Sequence, residues 1–251
     1  MNKRKVHGIK LGLFILLCFA FHSTGTAQLP KTSLRDSLYL LNGLRSATES
    51  EAEKKLFETE MKMLEDSGIA SYALKQKSKA PDFKLKNNKG KEIKLSTELQ
   101  KGPVVLVWYR GGWSPFCTLT LRYLQAYLQQ FKTFGAQLFA LSAESTEKMG
   151  QTKLKNKLSF DLLQDTDNQT AAAYGLKYAL NDSLAGVYET HYQLKTHYGK
   201  QVNSFPLTAA YIIHPNGKIV YAFVDNNYKN RVSPTDLLRV LKGMGFSPAA
   251  K

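Results

Sequence analysis

The sequence predicts an α/β fold: a central, mostly parallel or mixed β-sheet flanked by helices, with a helical extension in front of it. Three observations carry this expectation. Two runs, VVLVWY (104–109) and AQLFALS (136–142), are apolar on both faces, as strands in the middle of a covered sheet are. Between them, Leu119, Tyr123, Leu124, Tyr127 and Leu128 recur at helical spacing. Near the end, two more apolar runs flank Pro215-Asn216-Gly217, which is turn chemistry for a hairpin.

The elements follow in order. Residues 28–75 read as one or two helices. Leu38, Leu41 and Leu44 form one apolar stripe, Leu56, Met61 and Leu64 a second, and Gly68 is the stop. A lysine-rich connector, KQKSKA, leads to Pro81. APDFKLKNNKGKEIKLS (80–96) then alternates, with NNKG as the turn between two short strands. KGPVVLVWY (101–109) is the first buried strand, and Pro115 suits the first turn of the helix after it, which Gly135 ends. The second buried strand is followed by a helical stretch (145–157), a short strand in SFDLLQD (159–165) and a short helix in QTAAAYGL (169–176). Residues 180–204 are polar and aromatic without clear periodicity and read as an insertion or long loop. After the hairpin, Ser233 as N-cap and Pro234 in the first turn open a terminal helix. A hairpin, then β-α-β-α-β-α, then a hairpin and a helix is a thioredoxin-like order. The expected division is 1–27, 28–75 and 76–251.

Residues 1–27 have the arrangement of an export signal. MNKRKVHGIK is basic, LGLFILLCFAF is an apolar run too short to span a bilayer comfortably, and Gly25 and Ala27 are small residues before a cut. Removing Lys3, Arg4, Lys5 and Lys10 with this segment leaves 31 basic and 20 acidic residues, a net charge of +11. The lysines are scattered, and runs such as KLKNKL (153–158) lack the aromatic interleaving of a single-strand binder, so no nucleic-acid partner is expected. The localisation expected is the periplasm or the exterior.

Loss of Cys18 with the signal leaves Cys117 alone, and no internal disulfide can form. WSPFC (113–117) has the shape of a W-C-x-x-C redox motif with Ser114 in place of the first cysteine. Cys117 falls just inside a helix that starts after a central strand. The partial positive charge and free N–H groups of a helix N-terminus favour thiolate, and cysteines so placed have pKa values lowered to about 3.5–7.5. Arg110 or Arg122 can add a nearby cation. Ser114 is placed to cap the helix and to donate its hydroxyl to the sulfur or to a bound oxygen. Gly111-Gly112 makes room for a substrate to approach backbone, and Trp113 and Phe116 can wall the pocket.

APDFKL (80–85), GPVVLVWYRGGWSPFCTLTLRYLQ (102–125), GAQLFALS (135–142) and YIIHPNGKIVYAFVDNNYKNRVSPTDLL (211–238) resemble the AhpC/TSA peroxiredoxin superfamily, and most of all its branch with a YRGGWCPYC signature. In peroxiredoxins the reactive cysteine occupies the second position of the motif, and Thr or Ser stands three residues before it. The resemblance implies a peroxidatic Cys117 that forms a sulfenic acid, with Ser114 hydrogen-bonded to peroxide or thiolate. It implies peroxide as substrate and no cofactor. With one cysteine, it implies an external thiol reductant such as a thioredoxin-like protein, or a homodimer joined through Cys117. Two positions depart from the family pattern. Arg110 stands where the family has a proline, and Thr208 stands where it has the catalytic arginine. Arg110 or Arg231 is then left to supply the charge.

Two other readings stand beside the peroxidase. One is a thiol–disulfide oxidoreductase, and the other a thioredoxin-fold binding module of the cell envelope. His191 and His197 are read as solvated loop histidines rather than metal ligands, because no full ligand set accompanies them. His214 reads as a turn residue, Trp108 as a packing group and Asp225 as a loop cap.

Overall fold

The computed structural model describes residues 29–245. The expected export segment, 1–27, lies outside the described residues. The chain begins with helices α1 (Leu34–Ser46) and α2 (Glu51–Asp66), each opened by a serine. At Ser50 the cap is reciprocal, since its hydroxyl accepts from the Glu53 N–H while the Glu53 carboxylate accepts from the Ser50 N–H. Strands β1 (Lys84–Asn87) and β2 (Glu92–Lys94) form the expected first hairpin, and a short helix α3 (Leu95–Leu99) follows. Next come β3 (Val104–Trp108), α4 (Pro115–Ala126), α5 (Leu128–Thr133), β4 (Gln137–Ser142), α6 (Thr146–Lys155), β5 (Asp161–Gln164) and α7 (Gln169–Ala173). Strand β6 (Lys177–Ala179), helices α8 (Asp182–Tyr192) and α9 (Leu194–Tyr198) and strand β7 (Ser204–Pro206) lead to the closing hairpin. That hairpin is β8 (Thr208–Ile213) and β9 (Ile219–Asp225), and α10 (Pro234–Gly243) is the last element among the described residues.

Seven strands form one sheet in the order β2-β1-β5-β4-β3-β8-β9. The β3–β4 and β4–β5 pairs are parallel, and the outer pairs are antiparallel, so the sheet is mixed around a parallel centre. Alternation along β3 divides the interior in two. Val104, Leu106 and Trp108 pack with Phe57 and Leu64 of α2, with Tyr174, and with Leu184 and Tyr188 of α8. Val105 and Val107 pack on the other face with Leu121 and Leu124 of α4, Met149 of α6 and Leu237 and Leu241 of α10. Burying Leu121 and Leu124 completely stabilises the fold by about 1.5–3 kcal/mol each. Helix α1 is set apart from both faces. Its Leu34 and Leu38 pack on Phe116 and Tyr123 of α4 and on Tyr228.

Several expectations change. Residues 180–204 are not a loop. Asn181 caps α8 by accepting from the Leu184 N–H, and Leu184, Tyr188, Leu194 and Tyr198 are buried. Tyrosines alternate with leucines on the inward face of that segment, which hid its helical spacing. A separate antiparallel pair, β6 with β7, frames it. The stripe on α1 shifts, because Leu44 is exposed while Leu34 and Leu38 are buried. On α2 the buried face is Phe57, Glu60 and Leu64, with Leu56 and Met61 only partly covered. The helix expected to run to Gly135 breaks at Tyr127 into α4 and α5. Helix α3 has no counterpart in the expectations.

Candidate active site

Strand β3 delivers the chain to Arg110-Gly111-Gly112-Trp113, and α4 starts immediately after. Ser114 is the N-cap and Pro115 the first helical residue, where a missing N–H costs nothing. The Ser114 hydroxyl accepts from the Cys117 N–H at 3.4 Å. Cys117 thus sits in the first turn of α4, 1% exposed.

A guanidinium meets its sulfur. Arg231 donates Nη2–H to Sγ at 3.6 Å. The Ser114 hydroxyl and the Arg110 backbone N–H act in the same direction, as donors that favour the thiolate. Burial alone pushes the thiol pKa up. The Arg231 charge, the two hydrogen bonds and the more distant Arg110 charge reverse this, and the thiol titrates below its ordinary value. Arg231 belongs to the β9–α10 connection, 114 residues from Cys117 in sequence. Its other nitrogen, Nη1, donates to Thr208 Oγ1 at 2.7 Å and to the Asn230 carbonyl at 2.8 Å. Thr208, which the resemblance sets at the position of the family's arginine, is therefore the seat for an arginine that arrives from elsewhere.

Arg110 is placed differently from the expectation. Its guanidinium turns from the sulfur and donates to Tyr188 Oη at 2.7 Å and Tyr178 Oη at 2.6 Å. Tyr178 and Tyr188 donate onward to Glu60 of α2, at 2.6 and 3.2 Å respectively, and Glu60 lies 3.6 Å from the guanidinium. The rings of Phe205 and Tyr228 stack on it at 5.0 and 4.9 Å. The contribution of Arg110 to Cys117 is mainly its backbone N–H. A proline there would have none to offer. The Arg110 carbonyl is held from the far side by the hydroxyls of Ser142, at 3.1 Å, and Tyr198.

Arg122 does not reach the site, since its Nε donates to Asn156. Gly111 and Gly112 serve packing rather than substrate access. A Cβ on Gly112 would lie 1.8 Å from Thr152 Oγ1, and one on Gly111 would strike the Trp113 ring at 2.3 Å. Trp113 packs among Tyr188, Tyr192 and Phe205, and Phe116 against Tyr228. Trp108 packs on Tyr174 and Tyr211. His191 and His197 are not merely solvated, for His191 pairs with Glu53 and His197 Nδ1 lies 3.0 Å from buried Glu144. His214 Nδ1 accepts from the Asn216 N–H within its turn, and Asp225 accepts from the Asn227 N–H in the loop after β9.

The residue missed in the sequence is Glu60. Its signal was present, since a carboxylate falls on the apolar face of α2 between Phe57 and Leu64, and a charge there needs a buried partner. The assembled site can hold a thiolate in a dry pocket beside a guanidinium and a hydroxyl. Such a set can attack an electrophilic oxygen and stabilise the anion that leaves.

A profile of the AhpC/TSA family matches residues 77–222. Peroxiredoxin Bcp of Bacillus subtilis is 27% identical over 166 residues, which is 66% of this chain and 94% of that protein. The crystal structure of Peroxidoxin BcpB from Mycobacterium tuberculosis superposes with a TM-score of 0.54 at 20% identity, covering 68% of this chain and 98% of that one. A yeast mitochondrial 1-Cys peroxiredoxin, described as resolved through glutathione and thioredoxin systems, superposes at 0.52 with 21% identity, over 68% and 76% of the two chains. The two structural likenesses bear on the fold alone, which is the thioredoxin-like arrangement expected.

Proposed function

Since this chain belongs to the AhpC/TSA family, we propose that it is a thiol-dependent peroxidase of one-cysteine type, with Cys117 as the peroxidatic residue. The observation that carries the reading is the sulfur's environment. A fully buried thiol has its pKa lowered because Arg231, Ser114 and the Arg110 N–H all favour the thiolate. In the reaction, the thiolate attacks one peroxide oxygen and the O–O bond breaks. The leaving oxygen takes a proton and departs as water or an alcohol, and Cys117 becomes a sulfenic acid. Arg231 neutralises charge developing on the two oxygens, and Ser114 hydrogen-bonds to the nearer one.

Return to the thiol needs two external thiols. The first condenses with the sulfenic acid, releasing water and forming a mixed disulfide, and the second cleaves that disulfide. The yeast 1-Cys relative is described with glutathione and thioredoxin systems, which supports reductants of that chemistry here. A homodimer joined through Cys117 would require the first turn of α4 to open, because the sulfur is buried. The basic, apolar, small-residue order of residues 1–27 supports work outside the cytoplasm. Mass spectrometry of the processed N-terminus, expected after Ala27, tests this.

The experiment for the reaction is the rate of Cys117 oxidation by hydrogen peroxide at neutral pH, followed with a sulfenic-acid trap and a free small thiol in parallel. A rate orders of magnitude above the free thiol, lost in Cys117→Ser, is expected. A rate equal to that of the free thiol would sink the proposal.

A further inference from the structure

Cys117 is covered, and something must lead peroxide to it. The small opening bordered by Arg45, Ser114 and Tyr192 holds only ≈ 10 Å³, room for about one water. On the other side, a groove of ≈ 550 Å³ runs between α1 and the β9–α10 connection. This lies within the size range of small-molecule sites, about 300–1,000 Å³. Arg231 lines it, and the same guanidinium touches the Cys117 sulfur. The groove therefore ends at the residue whose guanidinium contacts the reacting atom.

The lining of the groove is mixed. Leu34 and Leu38 of α1 and Phe223 of β9 are apolar, while Asn42, Lys229 and the carboxylates of Asp225 and Asp236 are polar. Hydrogen peroxide has no apolar part to place against leucines and phenylalanine. A hydroperoxide with a hydrocarbon body does, and can direct its O–O group to Arg231. The leucine wall is also held firmly. Leu34 and Leu38 pack on Phe116, Tyr123 and Tyr228, and the Ser37 hydroxyl bonds Tyr123 Oη at 2.7 Å. Helix α1 lies upstream of the stretch that matches the family, residues 77–222.

We propose that α1 completes the substrate site, with Leu34, Leu38 and Asn42 forming a wall that determines how well hydroperoxides with an apolar body reach Arg231 and Cys117. This rests on the peroxidase reading above. It adds that the N-terminal extension is a specificity element, although none of its residues touches the sulfur.

The test compares second-order rates of Cys117 oxidation by cumene hydroperoxide and by hydrogen peroxide. The native chain is set beside Asn42→Trp, which fills the groove from its half-buried wall. Arg35→Trp, at a solvent-exposed position lining the same groove, repeats the test without disturbing the core. The expected result in either variant is a fall with cumene hydroperoxide about tenfold larger than any fall with hydrogen peroxide, which has no apolar body to place in the groove. Rates that fall equally with both peroxides, or with neither, in a variant that melts like the native chain would overturn the role of α1. A native chain that reacts no faster than free thiol with both peroxides would instead bring down the peroxidase reading itself.

Discussion

Burial and charge act on the Cys117 thiol in opposite directions. Burial favours the neutral form, and the Arg231 guanidinium with the Ser114 and Arg110 donors favours the anion strongly enough to win. Because the folded pKa lies below that of an unfolded thiol, the thiolate adds stability at pH values above the unfolded pKa. That stability is lost as pH falls through the folded value, and reactivity with peroxide is lost over the same fall. Arg231→Met removes the largest favourable influence. Its thiol pKa rises, the pH–rate profile moves to higher pH, and the rate at neutral pH drops about ten- to a hundredfold, the scale of one charge-assisted hydrogen bond. Titration of the thiolate absorbance alongside the rate measures both, and an unmoved profile would show that Arg231 has no role at the sulfur. The local part of this site was legible in the chain. Ser114 as cap, Pro115 at the first position and Cys117 in the first turn follow from rules that operate within a few residues. Arg231 was named as one of two candidates, and spacing alone could not choose between them.

Among the elements, α2 has the most specific attachment. Glu60 is buried on its inner face and meets Arg110, Tyr178 and Tyr188, so one carboxylate from the extension anchors the loop that carries the site. Removing one partner of such a group leaves a buried charge uncompensated. Glu60→Ala is expected to destabilise the fold by about 3–5 kcal/mol in denaturant titrations. Replacing both charges, as in Glu60→Met with Arg110→Met, is expected to recover most of that loss, since apolar side chains of similar volume suit the aromatic cage. A double variant as unstable as the single one would mean that the network's worth lies in its hydrogen bonds rather than in charge compensation. The elements with simple patterns were legible: β3 and β4 as continuous apolar runs, the β8–β9 hairpin from its PNG turn, and α10 from Ser233-Pro234. Helices α8 and α9 were not, because Tyr188 and Tyr198 share the packing there with Leu184 and Leu194, and a stretch rich in tyrosine reads equally well as a polar surface loop.

For the whole molecule, the consequence of one cysteine in a covered site is a distinctive oxidation product. In a chain produced without residues 1–27, excess peroxide without reductant is expected to carry Cys117 past sulfenic to sulfinic acid, with no disulfide-linked dimer, because the sulfurs of two copies are both buried and cannot meet. Intact-mass spectrometry and non-reducing electrophoresis distinguish the two products, and a predominant disulfide dimer would mean that the first turn of α4 opens readily. By itself the sequence determined the α/β order, Cys117 as the one cysteine beyond Cys18, and the helix-cap chemistry around Cys117, because each depends on neighbours along the chain or on composition. Only the tertiary structure decided that Arg231 rather than Arg110 faces the sulfur, that Thr208 seats it, and that α1 and α2 close over the site. Those outcomes depend on how elements far apart in the chain pack together. A buried guanidinium goes where a carboxylate and hydroxyls can satisfy it, and for Arg110 that place was made by Glu60, Tyr178 and Tyr188, leaving the sulfur to Arg231.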